Sequence, residues 1–384
     1  MTLLVKCTGT LLALLSATLF FEMASAQNDI RFQQEIVYAE TGDVLFGNIL
    51  TAAVDPQGRI CLGDNDQSQV HVMNADGSYI TSIGGRGSGP GEFQMISKVM
   101  ADKNHVHIFD LIQAHVHVYD TERFRFVRTI ALSENGGFQQ RSGRGRPFDM
   151  HLLPDGSYLV SYRSFMDPSS RQIVEISSEG EILDDNRYDF AAVRDENVIQ
   201  QSSGSTVVVA NLPFSRTSRV VVSSNGLLYS NWSGELSFEI FDASGRRTGQ
   251  FSHPFTNAPL NRDEVTKMFE DRGGTRVTFG SGGGGGAPGG TPQISRMMQN
   301  MEMPDTWPAV SSLYADSDDR LWVATFTENT AERKWYLFEP SGELLGTFTW
   351  PAGKTVVQAG NGSVWVLHRD PEELDHVVRY RVQL

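Results

Sequence analysis

The chain has 384 residues, 40% hydrophobic and 20% charged, with a formal net charge of −14. That composition supports a large apolar core and excludes a disordered polypeptide. The acidic balance excludes general attachment to nucleic acid or to anionic lipid, both of which reward a basic surface.

Residues 1–26 differ in character from the remainder of the chain. Lys6 is the one charged side chain before the uncharged run "CTGTLLALLSATLFF", and Ala24-Ser25-Ala26 supplies the small-x-small pattern of a signal-peptidase site. The segment reads as a secretory signal cut before Gln27, because the apolar run is shorter than the ~20 residues of a membrane span. A secreted or periplasmic product with no membrane span is expected. Of the two cysteines only Cys61 survives cleavage, so no internal disulfide forms. In "GRICLGD" Cys61 occupies an apolar strand position and is expected to be a buried, inert thiol.

From residue 30, "IRFQQEIVYAE" reads as a strand without a sheet of its own. A pattern then recurs: an apolar strand, a polar turn holding Asp or Gly, and a short alternating strand. Its instances are "VDPQGRICLGD", "ADKNHVHIFD", "LPDGSYLVSY", "SSNGLLYSN", "ADSDDRLWVAT" and "AGNGSVWVLH". The first five are followed by a second hairpin, for example "QVHVMNADGSYITSIG" and "WYLFEPSGELLGTF", with period-2 apolar spacing and turn residues suited to antiparallel pairing. The sixth copy breaks off after one further strand, "HVVRYRVQL", leaving a sheet one strand short. A ring in which the N-terminal strand completes the last blade solves both problems while leaving few exposed edges. The expected fold is therefore all-β: a six-bladed β-propeller over 27–384, closed by its N-terminal strand. A pair of β-sandwiches is the alternative, and the regular repeat disfavours it.

Two insertions interrupt the repeat. Residues 184–216 separate blades three and four, where "STVVVANLPF" either adds a hairpin or lengthens strands. Residues 252–308 separate blades four and five and combine short helices with a Gly-rich tether. Asn261 and Glu264 form a capping pattern for a first helix, "FGSGGGGGAPGG" is a flexible link, and Thr291-Pro292 opens a second helix. Of the clustered Met297, Met298, Met301 and Met303, the first three read as an apolar docking stripe at i, i+1, i+4, in preference to a copper site. A cover over one face of the ring is the expected role of this insertion.

The link "GGRGSGPGEF", residues 84–93, fails as a dinucleotide fingerprint because Pro90 stands where the third glycine is required. It reads as the joint between two blades, with Arg86 retained as a ligand contact. Together with "ICLGDNDQSQVHVMNADG" it resembles the NHL-repeat group of six-bladed propellers. The resemblance is strongest over residues 44–132 and implies the propeller fold. It does not fix an activity, since that group contains binding scaffolds as well as enzymes.

Two constellations are candidates for function. In "NHVHIFDLIQAHVHVYD", His105 and His107 share a strand face, as do His115 and His117. With Asp110 to Ala114 as the loop, His107 would pair with His117 and all four would lie together as a zinc or calcium site. The second set, Asp64, Asp66, Asp110, Arg163, Asn231, His368 and Arg369, follows the second strand of its blade and is expected at one rim of the ring, where a ligand would bind. No nucleophile elbow or zincin helix is present. The functional expectation is a secreted, non-catalytic propeller that binds a protein partner or small ligand on one face and needs no cofactor. A metal-dependent lyase or lactonase-like hydrolase is the alternative.

Overall fold

The computed structural model describes residues 29–40, 42, 44–132, 145–163, 171–184, 188, 195–203, 206–265, 303–370 and 374–384. The leader, the Gly-rich tether and the second helix of the 252–308 insertion fall outside the described residues.

Strand β1, Arg31–Tyr38, precedes blade one, which comprises β2 (Ile49–Val54), β3 (Ile60–Asp64), β4 (Gln69–Met73) and β5 (Tyr79–Gly84). Blade two contains β6 (Ile96–Ala101), β7 (His105–Asp110), β8 (His115–Asp120) and β9 (Phe126–Ala131). Blade three contains β10 (Arg146–Leu152), β11 (Tyr158–Arg163), β12 (Arg171–Ile176) and β13 (Ile182–Asp184). Blade four has five strands: β14 (Asp195–Ser203), β15 (Thr206–Val222), β16 (Leu228–Trp232), β17 (Ser237–Phe241) and β18 (Arg247–Ser252). Blade five is β19 (Val310–Ala315), β20 (Leu321–Phe326), β21 (Glu332–Phe338) and β22 (Leu344–Pro351). Blade six is β23 (Thr355–Gly360), β24 (Ser363–Arg369) and β25 (Asp375–Gln383), completed by β1 in the order β1-β25-β24-β23.

The inner strands β2, β6, β10, β15, β19 and β23 touch in cyclic order, so the sheets close into a six-bladed propeller around a channel. The expected closure is present: β1 pairs antiparallel with β25 from Arg31↔Gln383 to Tyr38↔Val377.

Both faces of each blade are covered, which explains the burial pattern. In β3 all five residues of "ICLGD" are buried, whereas outer strand β18 alternates between exposed and half-buried positions. Each interface between neighbouring blades has its own apolar cluster. Cys61, Val70 and Val72 of blade one meet Val106 and Ile108 of blade two, and Trp322, Trp335 and Leu337 of blade five meet Val364 and Val366 of blade six. Cys61 is buried as expected.

In the first insertion β14 pairs with the start of β15, so residues 206–214 of "STVVVANLPF" form one arm of a hairpin and at the same time lengthen an inner strand. The described ends of the second return to one another: Pro259 bridges Thr306, and Leu260 and Trp307 donate to Asp305 and Ala258 carbonyls at 2.9 Å. Asn261 Oδ1 caps a short helix by accepting the Asp263 amide at 2.9 Å. Val265 and Trp307 then pack with Leu212, Phe214 and Phe326, anchoring this excursion on blades four and five.

The Gly-rich link is a joint, as read. Phe93 is fully buried, and its amide donates to the Gly85 carbonyl at 2.8 Å. Gly84 has φ +87°, and a Cβ there would lie 2.0 Å from the Phe93 ring, so backbone conformation and space both demand glycine.

Candidate functional site

The channel wall repeats one position. The inner-strand residues Thr51, Lys98, Asp149, Arg219 and Ser312 pair with Gly63, Phe109, Ser161, Asn231 and Ala324, each four pairs back from its hairpin turn. In four of the five blades a register shift precedes this residue, a bulge that turns the side chain away from regular pleating. All five line the channel, so successive blades bring very different side chains to one level.

Two cavities of about 610 and 750 Å³ share Lys98, Asp149 and His151 and form the two halves of the channel. The 610 Å³ half opens where second strands end and third strands begin, the rim anticipated for ligand binding. It is lined by Lys98, Arg163, Arg171, Arg219, Arg333 and Lys354.

Its charges are organised in clusters. Lys98 Nζ lies 3.0 Å from Asp149 Oδ1 and 3.5 Å from His151 Nδ1. Burial opposes ionisation of Asp149, but Lys98 and His151 outweigh it and hold this carboxyl well below its ordinary range. Burial, reinforced by Lys98, pushes His151 below its ordinary value. Asp195 bridges Arg163 at 2.6 Å and Arg171 at 3.0 Å. Both guanidiniums lie against Phe148, at 4.6 and 4.8 Å from its ring centre. Arg333 covers Phe326 at 4.3 Å, and Trp307 stacks on the same ring at 4.8 Å. Lys354 donates to Tyr380 Oη at 3.3 Å.

Arg219 differs from its neighbours. Its Nε is buried without a hydrogen-bond partner, and among the described residues no carboxylate lies within ion-pair distance. Burial, followed by repulsion from Arg171, lowers its pKa to about 10.

Of the expected rim residues only Arg163 lines this cavity. Asp64 is a loop cap: it accepts the amides of Gly47 (2.6 Å), Asn48 (3.1 Å), Asp66 (2.9 Å) and Gln67 (3.1 Å), and His71 Nε2 at 3.3 Å. Burial raises its pKa, but those bonds win and lower it to about 2. Asp110 repeats the arrangement in blade two, accepting from Gln94 N at 2.6 Å and Gln113 N at 2.9 Å. Asn231 donates to the carbonyls of Glu235 and Ser237 at 2.9 and 2.8 Å. Arg369 pairs with Asp375 at 2.9 Å, and the His368 ring lies 5.9 Å from that of His376. Asp66 and Arg86 are exposed, joined by an Arg86 bond to the Asp66 carbonyl at 2.9 Å. Those assignments missed the channel because they followed loops, whereas most of the cavity's charges sit on strands. A charged residue recurring at one inner-strand position, as in "ISKVMA", "PFDMHL" and "TSRVVV", was the available signal.

The histidine hairpin also needs correction. The observed register pairs Asp110 with His115 and Ile108 with His117, one residue away from that expected. Asp110 caps a loop one residue shorter and Ala114 takes φ 54°, so the strands slip and the histidines divide between opposite faces. His107 points toward blade three, with Nδ1 2.8 Å from Tyr158 Oη and Nε2 3.0 Å from Asp102. His117 faces the blade-one joint, where its Nδ1 accepts the Gly91 amide at 3.3 Å. Asp102, His105 and His107 each bring one ligand atom within 4.8 Å of the others. This set replaces the four-histidine grouping.

A sequence family described as "6-bladed beta-propeller" matches residues 36–180, and one described as "Two component regulator propeller" matches 307–327. No curated protein matches. Among solved structures, a protein of Bacteroides fragilis named as exported is 15% identical, with 94% of this chain and 97% of that one covered and a TM-score of 0.53. A duf4221-family member from Bacteroides vulgatus is 10% identical, with 93% and 99% covered and a TM-score of 0.50. At these identities the likeness concerns the fold.

Proposed function

We propose that this chain, a six-bladed β-propeller, is an exported binding protein that takes a small ligand into the 610 Å³ half of its channel. The observation that carries this reading is the convergence of polar side chains from blades two to six on one enclosed space. Rigid inner strands hold most of these groups, so the site is preformed and ordering it on binding costs little. Binding rather than catalysis is supported by His151, which faces Lys98 and Asp149 and not a hydroxyl. Export is supported by the leader sequence. Among the described residues no helix is long and apolar enough to cross a membrane.

The test uses a cavity-filling variant. Ser312→Trp puts an indole into the cavity from an inner-strand position. A small-molecule panel of anions, cations and neutral sugars is screened by thermal shift against both proteins. Hits that stabilise the native chain and not the variant support the proposal. Hits that stabilise both equally place binding elsewhere and overturn it.

A second reading, a metal-dependent lyase or lactonase-like hydrolase, draws on Asp102, His105 and His107. Zinc titrated into chelator-treated protein should then raise the melting temperature of the native chain but not of His105→Ala. No shift in either would discard that reading.

A further inference from the structure

The geometry points to a zinc-binding site with one exchangeable coordination position, formed by Asp102, His105 and His107 where blades two and three meet. It stands apart from the ligand-binding function of the 610 Å³ half-channel and, unlike the metal-dependent enzyme, entails no reaction.

The local sequence places each ligand. In "ADKNHVH" Asp102 opens the turn between β6 and β7, and its Oδ1 accepts the amides of Asn104 and His105, both at 2.7 Å, which fixes the carboxylate. His105 and His107 are two apart on β7 and therefore project from one strand face. His107 Nε2 lies 3.0 Å from Asp102 Oδ2, and His105 Nδ1 lies 3.7 Å from Asp102 Oδ1. Zinc with bonds of about 2.0 Å and tetrahedral angles sets its ligand atoms about 3.3 Å apart, so these separations bracket the requirement. All three ligand atoms fall within 4.8 Å of one another, and this is the one such group among the described residues.

The repeat supplies a comparison. Asp55 in blade one and Asp316 in blade five hold the same turn position, and their Oδ2 atoms accept from Arg59 Nε at 2.7 Å and Trp322 Nε1 at 2.8 Å. Guanidinium and indole are donors with no lone pair to give a metal. Blade two has imidazoles instead, which exchange a proton for a metal ion. A turn cap needs one donor, which His107 provides; His105, beyond hydrogen-bonding range at 3.7 Å, adds a second imidazole that the cap does not use.

His107 also has the support a metal ligand requires on its far nitrogen. Nδ1 lies 2.8 Å from Tyr158 Oη of blade three, and 3% of the side chain is exposed. With zinc on Nε2, the remaining ring proton sits on Nδ1 and donates to Tyr158 Oη, which holds the ring in place. The side chains of His105 and Asp102 are 30% and 34% exposed, so solvent reaches the outer side of the group. Closed structural zinc sites use four protein ligands, whereas three with an open direction leave the fourth position to water or an exogenous donor. Asp102 and Lys103 also line the 750 Å³ half of the channel, which sets the site at the rim of that mouth.

The experiment titrates zinc and cobalt(II) into tag-free, chelator-treated protein, with His105→Ala, Tyr158→Phe and His253→Ala alongside. Melting temperatures of the metal-free variants check that each is folded. One zinc per chain is expected in calorimetry. Affinity should fall at least tenfold in His105→Ala and about tenfold in Tyr158→Phe, and stay unchanged in His253→Ala, whose imidazole lies beside Tyr336 of blade five. Cobalt(II) should give the intense visible absorption of a four-coordinate ion, and azide should shift it by entering the open position. No zinc binding, or equal binding in His105→Ala, would overturn the site. A cobalt spectrum that azide leaves unchanged would overturn the exchangeable position, and native affinity in Tyr158→Phe would overturn the role of Tyr158. Because the readout is metal binding, zinc bound without lactonase or lyase turnover discards the enzyme and upholds this site.

Discussion

Glu35 Oε1 accepts a hydrogen bond from Arg381 Nε at 2.7 Å, joining side chains 346 residues apart in the sequence. The two ends of the chain thereby form one blade. Phe32 from β1 also meets Phe348, Trp350 and Tyr380, with ring centres 4.7, 4.6 and 6.2 Å away.

Deleting residues 27–40 should therefore destabilise the whole ring. It removes Ile30, Phe32 and Tyr38 from two interblade clusters, each worth roughly 2 kcal/mol of burial, and exposes the edge of β25. A fall in melting temperature of about 10 °C or more is expected in calorimetry. An unchanged melting temperature would refute closure by strand exchange.

Asp64→Ala should destabilise without impairing ligand binding. The carboxylate satisfies four backbone amides at the junction of blade one, and their loss should cost roughly 3 kcal/mol in urea unfolding. A variant of native stability that no longer binds ligand would restore Asp64 to the ligand site.

Acid should weaken the fold in a defined window. Burial lowers the pKa of His117 from 6.5 to about 4, so the folded protein resists a proton that the unfolded chain accepts. The group imposes no penalty above pH 6.5, and stability declines as pH falls from there toward 4, by on the order of 3 kcal/mol. His117→Asn, whose side chain can still accept the Gly91 amide, should flatten that slope in denaturation measured across the window. Equal slopes in the two proteins would disprove the assignment.

Cys61 should be silent until the protein unfolds. Burial, with Asp55 adding to it, pushes its pKa to about 12, leaving almost no thiolate at pH 8. Its reaction with a disulfide reagent should follow the rate of global unfolding. Fast labelling of the folded chain would contradict that placement.

The fold was legible because its signals are local. Alternating strands, turn residues and a truncated last repeat lie within short windows of sequence, and the unpaired strand at residues 30–40 had one economical use. Asp64 and Asp110 were also conspicuous, but their prominence reflects a repeated loop cap, which sequence position alone does not separate from a ligand contact.

What remained hidden depends on contacts between distant segments. One residue of loop length decided whether His107 and His117 shared a face, because side chains on a strand alternate with period 2. The channel charges were individually ordinary: Lys98 and Arg219 share an inner-strand position of the repeat, but Arg333 stands outside it on β21, and no local pattern sets the three together. The sequence by itself determined a closed, acidic, six-bladed ring. Only the tertiary structure decided which of its charges meet, because ring closure brings Lys98, Asp149 and Arg219 from separate blades to one space.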